Sequence, residues 1–306
     1  MTDNLKILIT GSSSYIGECL IKKILDDTNY SLVLLQSKKS EKIFFSKRIK
    51  YYYYDNLDFD IYNCLRKTKP DLVIHLAGYS VVEHKKGDLN SLIEANIIFG
   101  TKLLDAMKEA GVLKIINTGS YWENFYQDGE YHPVNLYSSF KKCFFNILQF
   151  YVEVFGFSAV TLKLYDVYGP GDKRKKIIPL LIETATNNNK LDMSLGKQYV
   201  DFVYIDDVIC GYINAIKYIM KNKKSDNLSV DIGSAKPIQL KKLVLLIEKM
   251  LTKKININFG GREYRLREVM NPKANIEYTK KMLSWYPKIF INDGLKIVID
   301  SYKNKL

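Results

Sequence analysis

Three residues of the chain have the types and the order needed to protonate a carbonyl oxygen while hydride is delivered to its carbon. Tyr137 and Lys141 are four residues apart at the start of an amphipathic stretch, and Ser120 precedes them. Hydride transfer to a ketone places negative charge on the oxygen, which a proton donor and a fixed hydrogen bond must stabilise. Residues four apart lie on one face of a helix, so the Lys141 ammonium is expected to lower the pKa of the Tyr137 phenol. This spacing is common by chance in a lysine-rich chain, and the prediction depends on its place after the fifth predicted strand.

Six short β-branched runs alternate with longer stretches of helical periodicity. The predicted strands are residues 6–9, 32–35, 50–54, 71–76, 114–117 and 160–164. Strict alternation of strand and helix favours right-handed crossovers and a parallel sheet buried on both faces. The sequence therefore predicts an α/β fold, a doubly wound parallel sheet of the Rossmann type, with a smaller mixed α/β lobe after it.

The first predicted strand leads into a turn that is typical of a dinucleotide-binding loop. The turn reads Thr10-Gly11-Ser12-Ser13-Ser14-Tyr15-Ile16-Gly17 and opens a long helical stretch. Gly11 provides the tight turn, and Gly17 lets helix and strand approach, so that helix amides can face a pyrophosphate. A complete fingerprint has a third glycine where this chain has Ser14, and the turn alone also fits an ordinary Gly/Ser turn. Its position between the first strand and a long helix favours the dinucleotide interpretation.

The predicted domain limits follow from a change in the pattern of predicted elements along the chain. After about Asp166, short elements separated by Gly-Pro pairs replace the regular alternation of strands and helices. A dinucleotide-binding domain is therefore expected at residues 1–167, and a substrate-binding lobe at residues 168–306. Residues 200–221 include a helical stretch that is expected to pack back on the first domain.

The end of the second predicted strand indicates which dinucleotide is preferred. An acidic residue at this place binds the ribose 2′-hydroxyl of NAD, but this chain has Gln36-Ser37-Lys38-Lys39. Ser37 and two ammonium groups suit a 2′-phosphate, so NADPH is predicted over NADH, which stays possible. The alternative is a lysine-rich surface turn. Asp55 and Asn56, after the third strand, are expected to meet the adenine edge.

Composition and charge argue against several other classes of protein. With 47% apolar residues among 306, the chain can form one large domain or two unequal ones. No apolar run approaches the ~18 residues of a bilayer span and no signal peptide is recognisable, so a cytoplasmic protein without a membrane partner is expected. Scattered cysteines and histidines support neither disulfides nor a metal site. The net charge of +13 suits small polyanions better than nucleic acid, because no arginine-aromatic module accompanies it.

Seven segments together form a recognisable combination. They are the turn from Thr10 to Gly17, His75-Leu76-Ala77-Gly78, Asn96 in Asn96-Ile-Ile-Phe-Gly100-Thr101, Ser120, Tyr137 with Lys141, Tyr168-Gly169-Pro170, and Asp201-Phe-Val-Tyr-Ile-Asp206-Asp207-Val208. Over nearly its whole length the chain resembles the extended short-chain dehydrogenase/reductase family, the NAD-dependent epimerases, dehydratases and reductases of nucleotide sugars. The resemblance implies that Tyr137 is the general acid/base, that Ser120 orients the substrate oxygen, and that Lys141 also binds the nicotinamide ribose.

The resemblance extends to the binding residues and to the assembly. The predicted cofactor-binding set is Gly11, Ser13, Ser14, Tyr15, Ile16, Gly17, Gln36, Ser37, Lys38, Asp55, Asn56, Leu76, Ala77, Gly78, Asn96, Tyr137, Lys141 and Tyr168. The predicted substrate-binding set is Tyr79, Ser120, Tyr121, Trp122, Arg262, Arg265 and Arg267. A homodimer formed through the helices that carry Asn96 and Tyr137 is also implied.

Departures from the family pattern narrow the reaction. The 4,6-dehydratases have an Asp-Glu pair directly after the Ser or Thr, whereas this chain has Tyr121 and Trp122, which cannot exchange protons at neutral pH. Glu123 comes one residue later, and on an extended segment it would lie on the opposite face. At Val200 many relatives have an arginine that binds the substrate diphosphate.

Three arginines in residues 260–267 are expected to replace that missing arginine. Arg262, Arg265 and Arg267 offer the bidentate geometry that suits a diphosphate. The alternative is surface ion pairing with Glu263 and Glu268.

The cofactor prediction favours a reductase, because an epimerase keeps its NAD bound whereas a reductase must exchange NADP. Residues 118–122 and 166–172 are also similar to the 4-ketoreductases that make 6-deoxy or 3,6-dideoxy sugars. The resemblance thus implies NADPH-dependent reduction of the C4 ketone of a dTDP- or CDP-linked 4-keto-6-deoxyhexose for surface polysaccharides such as O antigen. The alternatives are a nucleotide-sugar 4-epimerase with bound NAD and a non-catalytic NADPH-binding sensor of the same fold.

Overall fold

The computed structural model describes residues 4–55, 57–222 and 225–303 of the chain. The strands in this part are β1 (Lys6–Thr10), β2 (Ser31–Ser37), β3 (Ile49–Tyr54), β4 (Leu72–His75), β5 (Lys114–Ser120), β6 (Ser158–Leu164), β7 (Asp166–Tyr168), β8 (Leu191–Met193), β9 (Tyr199–Val200), β10 (Phe202–Tyr204), β11 (Asn227–Ile232), β12 (Ile238–Gln239) and β13 (Ile257–Phe259).

Helices connect most of these strands. They are α1 (Tyr15–Asp27), α2 (Leu57–Thr68), α3 (Leu89–Ile93), α4 (Phe99–Ala110), α5 (Leu136–Phe155), α6 (Ile177–Asn187), α7 (Ile205–Lys221), α8 (Leu240–Leu251), α9 (Ile276–Leu283) and α10 (Ile291–Lys303). A π-helical turn, Glu94–Ile98, joins α3 to α4, and short 3₁₀ helices are formed by Lys86–Asp88 and Tyr121–Glu123.

Seven strands form one sheet in the order β11-β6-β5-β4-β1-β2-β3. The β1–β2, β1–β4, β2–β3 and β4–β5 pairs are parallel. Six of these strands correspond to the predicted ones, with limits that differ by up to three residues, and β11 was not predicted. The doubly wound, Rossmann-type α/β fold is thus confirmed. The order β3-β2-β1-β4 reverses direction at β1, where such sheets bind ligands beyond the carboxyl ends of the strands.

Burial explains why these segments form the central strands. All four residues of β4 and the last four of β1 are buried, as expected for parallel strands covered by helices on both faces. The longest helix, α5, buries one face through Phe144, Leu148 and Val152. It ends at Gly156, which has φ +72° and forms a left-handed C-cap.

The chain divides into two compact units. The first comprises residues 1–123, 135–163 and 211–230, and the second comprises residues 124–134, 164–210 and 231–306. The predicted domain limits, 1–167 and 168–306, stay a prediction. Among the described residues, no helix combines the length and the apolar character that crossing a membrane requires.

The second unit is organised around two buried carboxylates. Asp201 is 1% exposed and accepts hydrogen bonds from the amides of Ser234, Ala235 and Ala274 at 2.7, 3.0 and 2.9 Å. Asp207 accepts hydrogen bonds from the backbone amides of residues 288 and 289 at 3.0 and 2.9 Å. Each carboxylate therefore holds backbone segments that are distant in the sequence, and satisfies amides that burial would otherwise leave unpaired.

Candidate active site

Two glycines shape the turn between β1 and α1. Gly11 has φ +69°, and a Cβ at this position would stand 2.5 Å from the Ala77 amide nitrogen. At Gly17 a Cβ would stand 2.5 Å from the carbonyl oxygen of Gly11. Both positions therefore require glycine. Ser14, the departure from the fingerprint, is the N-cap of α1, and its Oγ accepts a hydrogen bond from the Gly17 amide at 3.1 Å.

A cleft of about 550 Å³ opens over this turn. It lies beyond the carboxyl ends of β1, β2, β3 and β4, the edge at which doubly wound sheets bind ligands. It is lined by Gly11, Ser12, Ser13, Ser14, Leu35, Gln36, Ser37, Lys38, Lys39, Ser40, Tyr54, Asp55, Leu57, Leu76, Ala77, Gly78, Glu94, Ala95 and Phe99.

The cleft brings together much of the predicted cofactor-binding set. Gly11, Ser13, Ser14, Gln36, Ser37, Lys38, Asp55, Leu76, Ala77 and Gly78 line it, whereas Tyr15, Ile16, Gly17, Asn96, Tyr137, Lys141 and Tyr168 are not among its lining residues. The predicted Asn56 lies outside the described residues. Sequence reasoning missed Leu35 and Tyr54, although both lie at the ends of predicted strands. It also missed Glu94, Ala95 and Phe99, which belong to a helical segment with no phosphate or ribose motif of its own.

The chemistry of the cleft fits a dinucleotide. The Gln36 side chain is buried; its Nε2 donates to Ser12 Oγ at 2.7 Å, and its Oε1 has no hydrogen-bond partner among the described residues. A Cβ on Gly78 would stand 2.9 Å from Asn96 Oδ1 and 3.3 Å from Lys141 Nζ. Unpaired amide oxygens accept from ribose hydroxyls, and the start of α1 suits a pyrophosphate. The absence of a side chain at Gly78 leaves room for the Asn96 and Lys141 side chains beside the cleft.

The Asp55 carboxylate lies beside residues 36–39, the loop on which the prediction of NADPH depends. Lys38 Nζ forms an ion pair with Asp55 Oδ2 at 3.0 Å, and both side chains are largely exposed. Ser37 Oγ lies 3.2 Å from Ser40 Oγ. The positive charge available to a 2′-phosphate is therefore partly offset by a residue that follows β3, not β2.

The start of α5 is held in place by Asn135. Its Oδ1 accepts a hydrogen bond from the Ser138 amide at 3.0 Å, and its Nδ2 donates to the Val82 carbonyl at 2.9 Å. This cap fixes the first turn, which carries Tyr137. Lys141 is buried one turn later, and its Nζ lies 5.9 Å from the centroid of the Tyr137 ring. The predicted helix is confirmed, and the two side chains lie close together.

Ser120 is the last residue of β5, and the chain turns back directly after it. Its Oγ accepts a hydrogen bond from the Trp122 amide at 3.3 Å. Within the 3₁₀ turn that follows, Glu123 Oε1 accepts from the Ser120 amide at 3.2 Å. The prediction that Glu123 faces away from the site is wrong, because residues 121–123 are helical and not extended.

Burial dominates the electrostatics of the tyrosine–lysine pair. The Tyr137 side chain keeps part of its surface open, yet the packing around it raises the pKa of its phenol, and the charge of Glu123 raises it further. Burial also lowers the pKa of Lys141 to about 8, and Glu123 opposes this shift. The predicted lowering of the Tyr137 pKa is therefore wrong for this structure, because burial and the charge of Glu123, and not Lys141, determine the direction of the shift.

Tyr168 belongs to the interior of the second unit. It is 2% exposed, and its hydroxyl donates to the Phe290 carbonyl at 3.4 Å. A Cβ on Gly294 would stand 2.1 Å from the Tyr168 hydroxyl oxygen, so the ring is tightly enclosed. The Tyr168 side chain is therefore enclosed by protein, and its predicted place in the cofactor-binding set stays a prediction.

The three predicted diphosphate-binding arginines have different surroundings within the second unit. Arg267 donates from Nη1 to the carbonyl of Pro133, and its guanidinium lies 5.3 Å from the centroid of the Phe125 ring. Arg265 Nε lies 4.0 Å from Glu268 Oε2 and has no hydrogen-bond partner among the described residues. The backbone amide of Arg262 donates to the carbonyl of residue 193 at 3.2 Å. Arg267 therefore has a structural contact, and diphosphate binding by the cluster stays a prediction.

The remaining predicted substrate residues lie in the first unit. Tyr79 is 37% exposed, and its hydroxyl donates to Asp88 Oδ1 at 3.0 Å. The rings of Tyr121 and Trp122 are half-buried, with their centroids 5.9 Å apart. Neither ring carries a group that exchanges protons near neutrality.

The sequence also matches the model of a known protein family. The model of the NAD dependent epimerase/dehydratase family matches residues 7–233, well over half of the chain. The chain belongs to that family. The resemblance to extended short-chain dehydrogenases/reductases is thus confirmed.

Individual relatives cover nearly the whole chain. CDP-abequose synthase of Yersinia pseudotuberculosis is 31% identical over 92% of this chain and 98% of its own. CDP-abequose synthase of Salmonella muenchen is 26% identical over 96% of each chain. The solved structure of UDP-glucuronic acid 4-epimerase from Bacillus cereus, in complex with UDP-glucuronic acid and NAD, superposes with a TM-score of 0.87 at 24% identity, over 99% of this chain and 100% of that one. At this identity the structural likeness shows a common fold.

Proposed function

We propose that the protein uses NADPH to reduce the C4 ketone of a nucleotide-linked 4-keto-6-deoxyhexose, carried by dTDP or CDP, in the synthesis of surface-polysaccharide sugars such as those of O antigen. The observation that carries this proposal is the likeness to CDP-abequose synthases over nearly the full length, in a chain that retains Ser120, Tyr137 and Lys141.

The protein residues supply positioning and a proton. The dinucleotide, when bound, provides the hydride. The Ser120 hydroxyl, at the carboxyl end of β5, donates a hydrogen bond to the substrate carbonyl oxygen. Tyr137 gives its proton to the same oxygen, since a phenol is protonated at neutral pH. The Lys141 ammonium lies beside Gly78, a residue of the cleft lining, and binds ribose hydroxyls.

NADPH is proposed on the basis of the loop after β2. Ser37, Lys38 and Lys39 line the cleft and offer a hydroxyl and two ammonium groups to a 2′-phosphate. The Bacillus cereus epimerase was solved with NAD, and Asp55 pairs with Lys38 in this chain. The proposed preference for NADPH must therefore be tested by comparing activity with NADPH and with NADH.

A nucleotide-sugar 4-epimerase is the second candidate. It is favoured by 26% identity to UDP-glucuronate 4-epimerase of Thermodesulfobacterium geofontis over 98% of this chain. Such an enzyme retains NAD, which appears in the supernatant of the denatured protein, and interconverts UDP-sugars without net consumption of NADPH. A non-catalytic sensor requires none of Ser120, Tyr137 and Lys141, and no structural observation favours it.

The test is turnover of a panel of enzymatically prepared dTDP- and CDP-4-keto-6-deoxyhexoses, followed by the loss of NADPH absorbance. Tyr137→Phe is expected to lower kcat by about 10²–10⁴-fold, because the proton donor is lost, while NADPH binding stays nearly unchanged. Tyr278→Phe, on an exposed ring of the second unit, is the matched control and should retain full activity. A fully active Tyr137→Phe enzyme, or a wild type that reduces no member of the panel, would contradict the proposal.

A further inference from the structure

Asn135 makes a second set of hydrogen bonds that capping a helix does not require. Its Oδ1 caps α5 by accepting a hydrogen bond from the Ser138 amide at 3.0 Å. Its Nδ2 donates to the carbonyl oxygens of Val81 and Val82 at 3.3 and 2.9 Å. These two bonds, which we call the Asn135 bridge, join the start of α5 to the segment that follows β4.

The residue type at this cap matters for the bridge. Serine, threonine, aspartate and asparagine all cap helices well, because each has a side-chain oxygen that accepts from the first turn. Only asparagine combines that oxygen with an NH₂ group that donates two further hydrogen bonds. In Asn135 the oxygen meets an amide and the nitrogen meets two carbonyl oxygens, so both ends have the partners that their chemistry requires.

The bridged segment contacts α5 on both sides of the proposed proton donor. At its start, a Cβ on Gly78 would stand 3.3 Å from Lys141 Nζ, on the second turn of α5. Four residues later, the Val82 carbonyl meets Asn135 at the start of the helix. Tyr137 lies between these two contacts on α5. Residues 78–82 therefore run along the first two turns of the helix.

The same segment continues directly from the lining of the cleft. Residues 76–78 line the cleft, and Asn96 Nδ2 donates to the carbonyl oxygen of Tyr79 at 2.8 Å. The carbonyl groups of residues 79, 81 and 82 are thus all held by side-chain amides, one beside the cleft and one on α5. The backbone between the cleft and the tyrosine helix is therefore fixed at both ends.

We propose that Asn135 is a positioning residue whose bridge to Val81 and Val82 aligns the Tyr137 hydroxyl with a dinucleotide bound against residues 76–78. This inference deepens the proposed function and rests on it for the step in which Tyr137 gives up its proton. Hydride and proton must reach the two atoms of one carbonyl group, and a misplacement of about 1 Å can cost about 10²-fold in rate.

Three substitutions separate the bridge from the cap. Asn135→Asp removes both donors of the bridge and keeps the cap, because aspartate caps a helix about as well as asparagine. Asn135→Ser also keeps a capping oxygen and is uncharged, so it separates loss of the bridge from the effect of a new charge near Tyr137. Ser138→Ala is the matched control: it removes the hydroxyl that bonds to the Asn135 amide and carbonyl at 3.2 and 2.8 Å, and leaves the bridge in place.

The first readout is limited trypsin digestion, which does not depend on turnover. Lys85 and Lys86 are exposed and follow the bridged segment, so cleavage after them, identified by mass spectrometry, reports opening of this segment. Cleavage is expected to be about tenfold faster in Asn135→Asp and Asn135→Ser, as the loss of a hydrogen bond implies, and unchanged in Ser138→Ala. Equal rates in the wild type and in all variants would overturn the proposal.

The second readout is steady-state reduction of the keto sugar. Both Asn135 variants are expected to lower kcat by about 10–10²-fold, with KM for NADPH nearly unchanged, because the residues that line the cleft remain. Deuterium at the transferred position of NADPH should slow these variants more than wild type, because misalignment makes the chemical step rate-limiting. A loss of stability alone would not raise this isotope effect.

The outcomes distinguish the bridge from the cap and from the proposed function. An equal fall in kcat in Ser138→Ala would show that the cap, and not the bridge, is responsible. Full activity of both Asn135 variants would also refute the proposal. If wild type reduces no keto sugar, the proposed function fails, whereas faster cleavage of the Asn135 variants would still support the bridge as the tie between residues 79–82 and α5.

Discussion

At the scale of single residues, Lys141 shows how burial competes with charge. The side chain is 5% exposed, and burial lowers its pKa to about 8, against about 10.4 in an unfolded chain. Between these two values the unfolded state binds more protons than the folded state, so stability rises with pH in this window. Below pH 8 the charged ammonium opposes folding throughout.

Lys141→Met is therefore expected to stabilise the protein without cofactor at pH 7 by about 1–3 kcal/mol, and to lose this advantage as the pH rises from about 8 to about 10.4. Urea unfolding at several pH values measures the difference. Lys296→Met, on an exposed lysine of α10, should show no such trend. A gain that is independent of pH would mean that packing, and not desolvation of the ammonium, is responsible.

Lys38 and Asp55 determine how much charge is offered to a 2′-phosphate. Lys38→Ala is expected to raise KM for NADPH about tenfold, the loss of roughly 1.4 kcal/mol of interaction, and to leave KM for NADH nearly unchanged. Asp55→Asn should lower KM for NADPH, because it frees the ammonium from its ion pair. Initial-rate measurements with NADPH and with NADH test both expectations. Equal effects on the KM values for the two cofactors would contradict the predicted preference for NADPH.

The types and positions of Ser120, Tyr137 and Lys141 were predictable from the sequence, but their electrostatics were not. A spacing of four residues places two side chains on one helical face, yet it does not report burial, which reverses the expected shift in the Tyr137 pKa. The contact of Glu123 with the Ser120 amide was equally hidden, because nothing in Tyr121-Trp122-Glu123 signals a 3₁₀ turn.

At the scale of elements, the start of α1 depends on Ser14. Ser14→Ala removes the cap and is expected to cost about 1 kcal/mol of stability, whereas Ser14→Gly costs only a few tenths. Ser14→Gly should also bind NADPH at least as tightly as wild type, because no Cβ then crowds the phosphate. Thermal unfolding and calorimetric titration with NADPH measure the two effects. Equal destabilisation by glycine and alanine would show that the cap is unimportant.

The elements of the central sheet were largely predictable, and those of the second unit were not. Strands such as β1 and β4 are continuous apolar runs, because helices cover both faces of the sheet. β11, with alternating buried residues, was missed after a lysine-rich segment. In the second unit, β9 pairs with β12 and β8 with β13. These two- and three-residue strands are set by contacts distant in the sequence, which local periodicity does not reveal.

At the scale of the whole molecule, the homodimer expected from the family can be tested on α5. Phe150 and Val154 lie one turn apart on this helix and are 52% and 56% exposed, so they form an apolar patch of the kind found at protein–protein interfaces. Phe150→Glu is expected to convert a dimer into a monomer, as measured by light scattering after size exclusion. Leu245→Glu, on an equally exposed residue of α8, should leave the mass unchanged. A wild type that is monomeric at micromolar concentration would refute the expectation.

The hydrogen bonds of Asp201 join two parts of the second unit that are about forty residues apart in the sequence. Because one carboxylate binds the amides of Ser234, Ala235 and Ala274, the ends of the intervening segment are tied at a single point. A Cβ on Gly233 would stand 2.5 Å from Ala274 Cβ, so the two ends also touch. The segment, which includes α8, β13 and the arginine cluster, is thus closed into a loop by a single side chain. Loss of the Asp201 carboxylate would therefore free both ends of that loop at once.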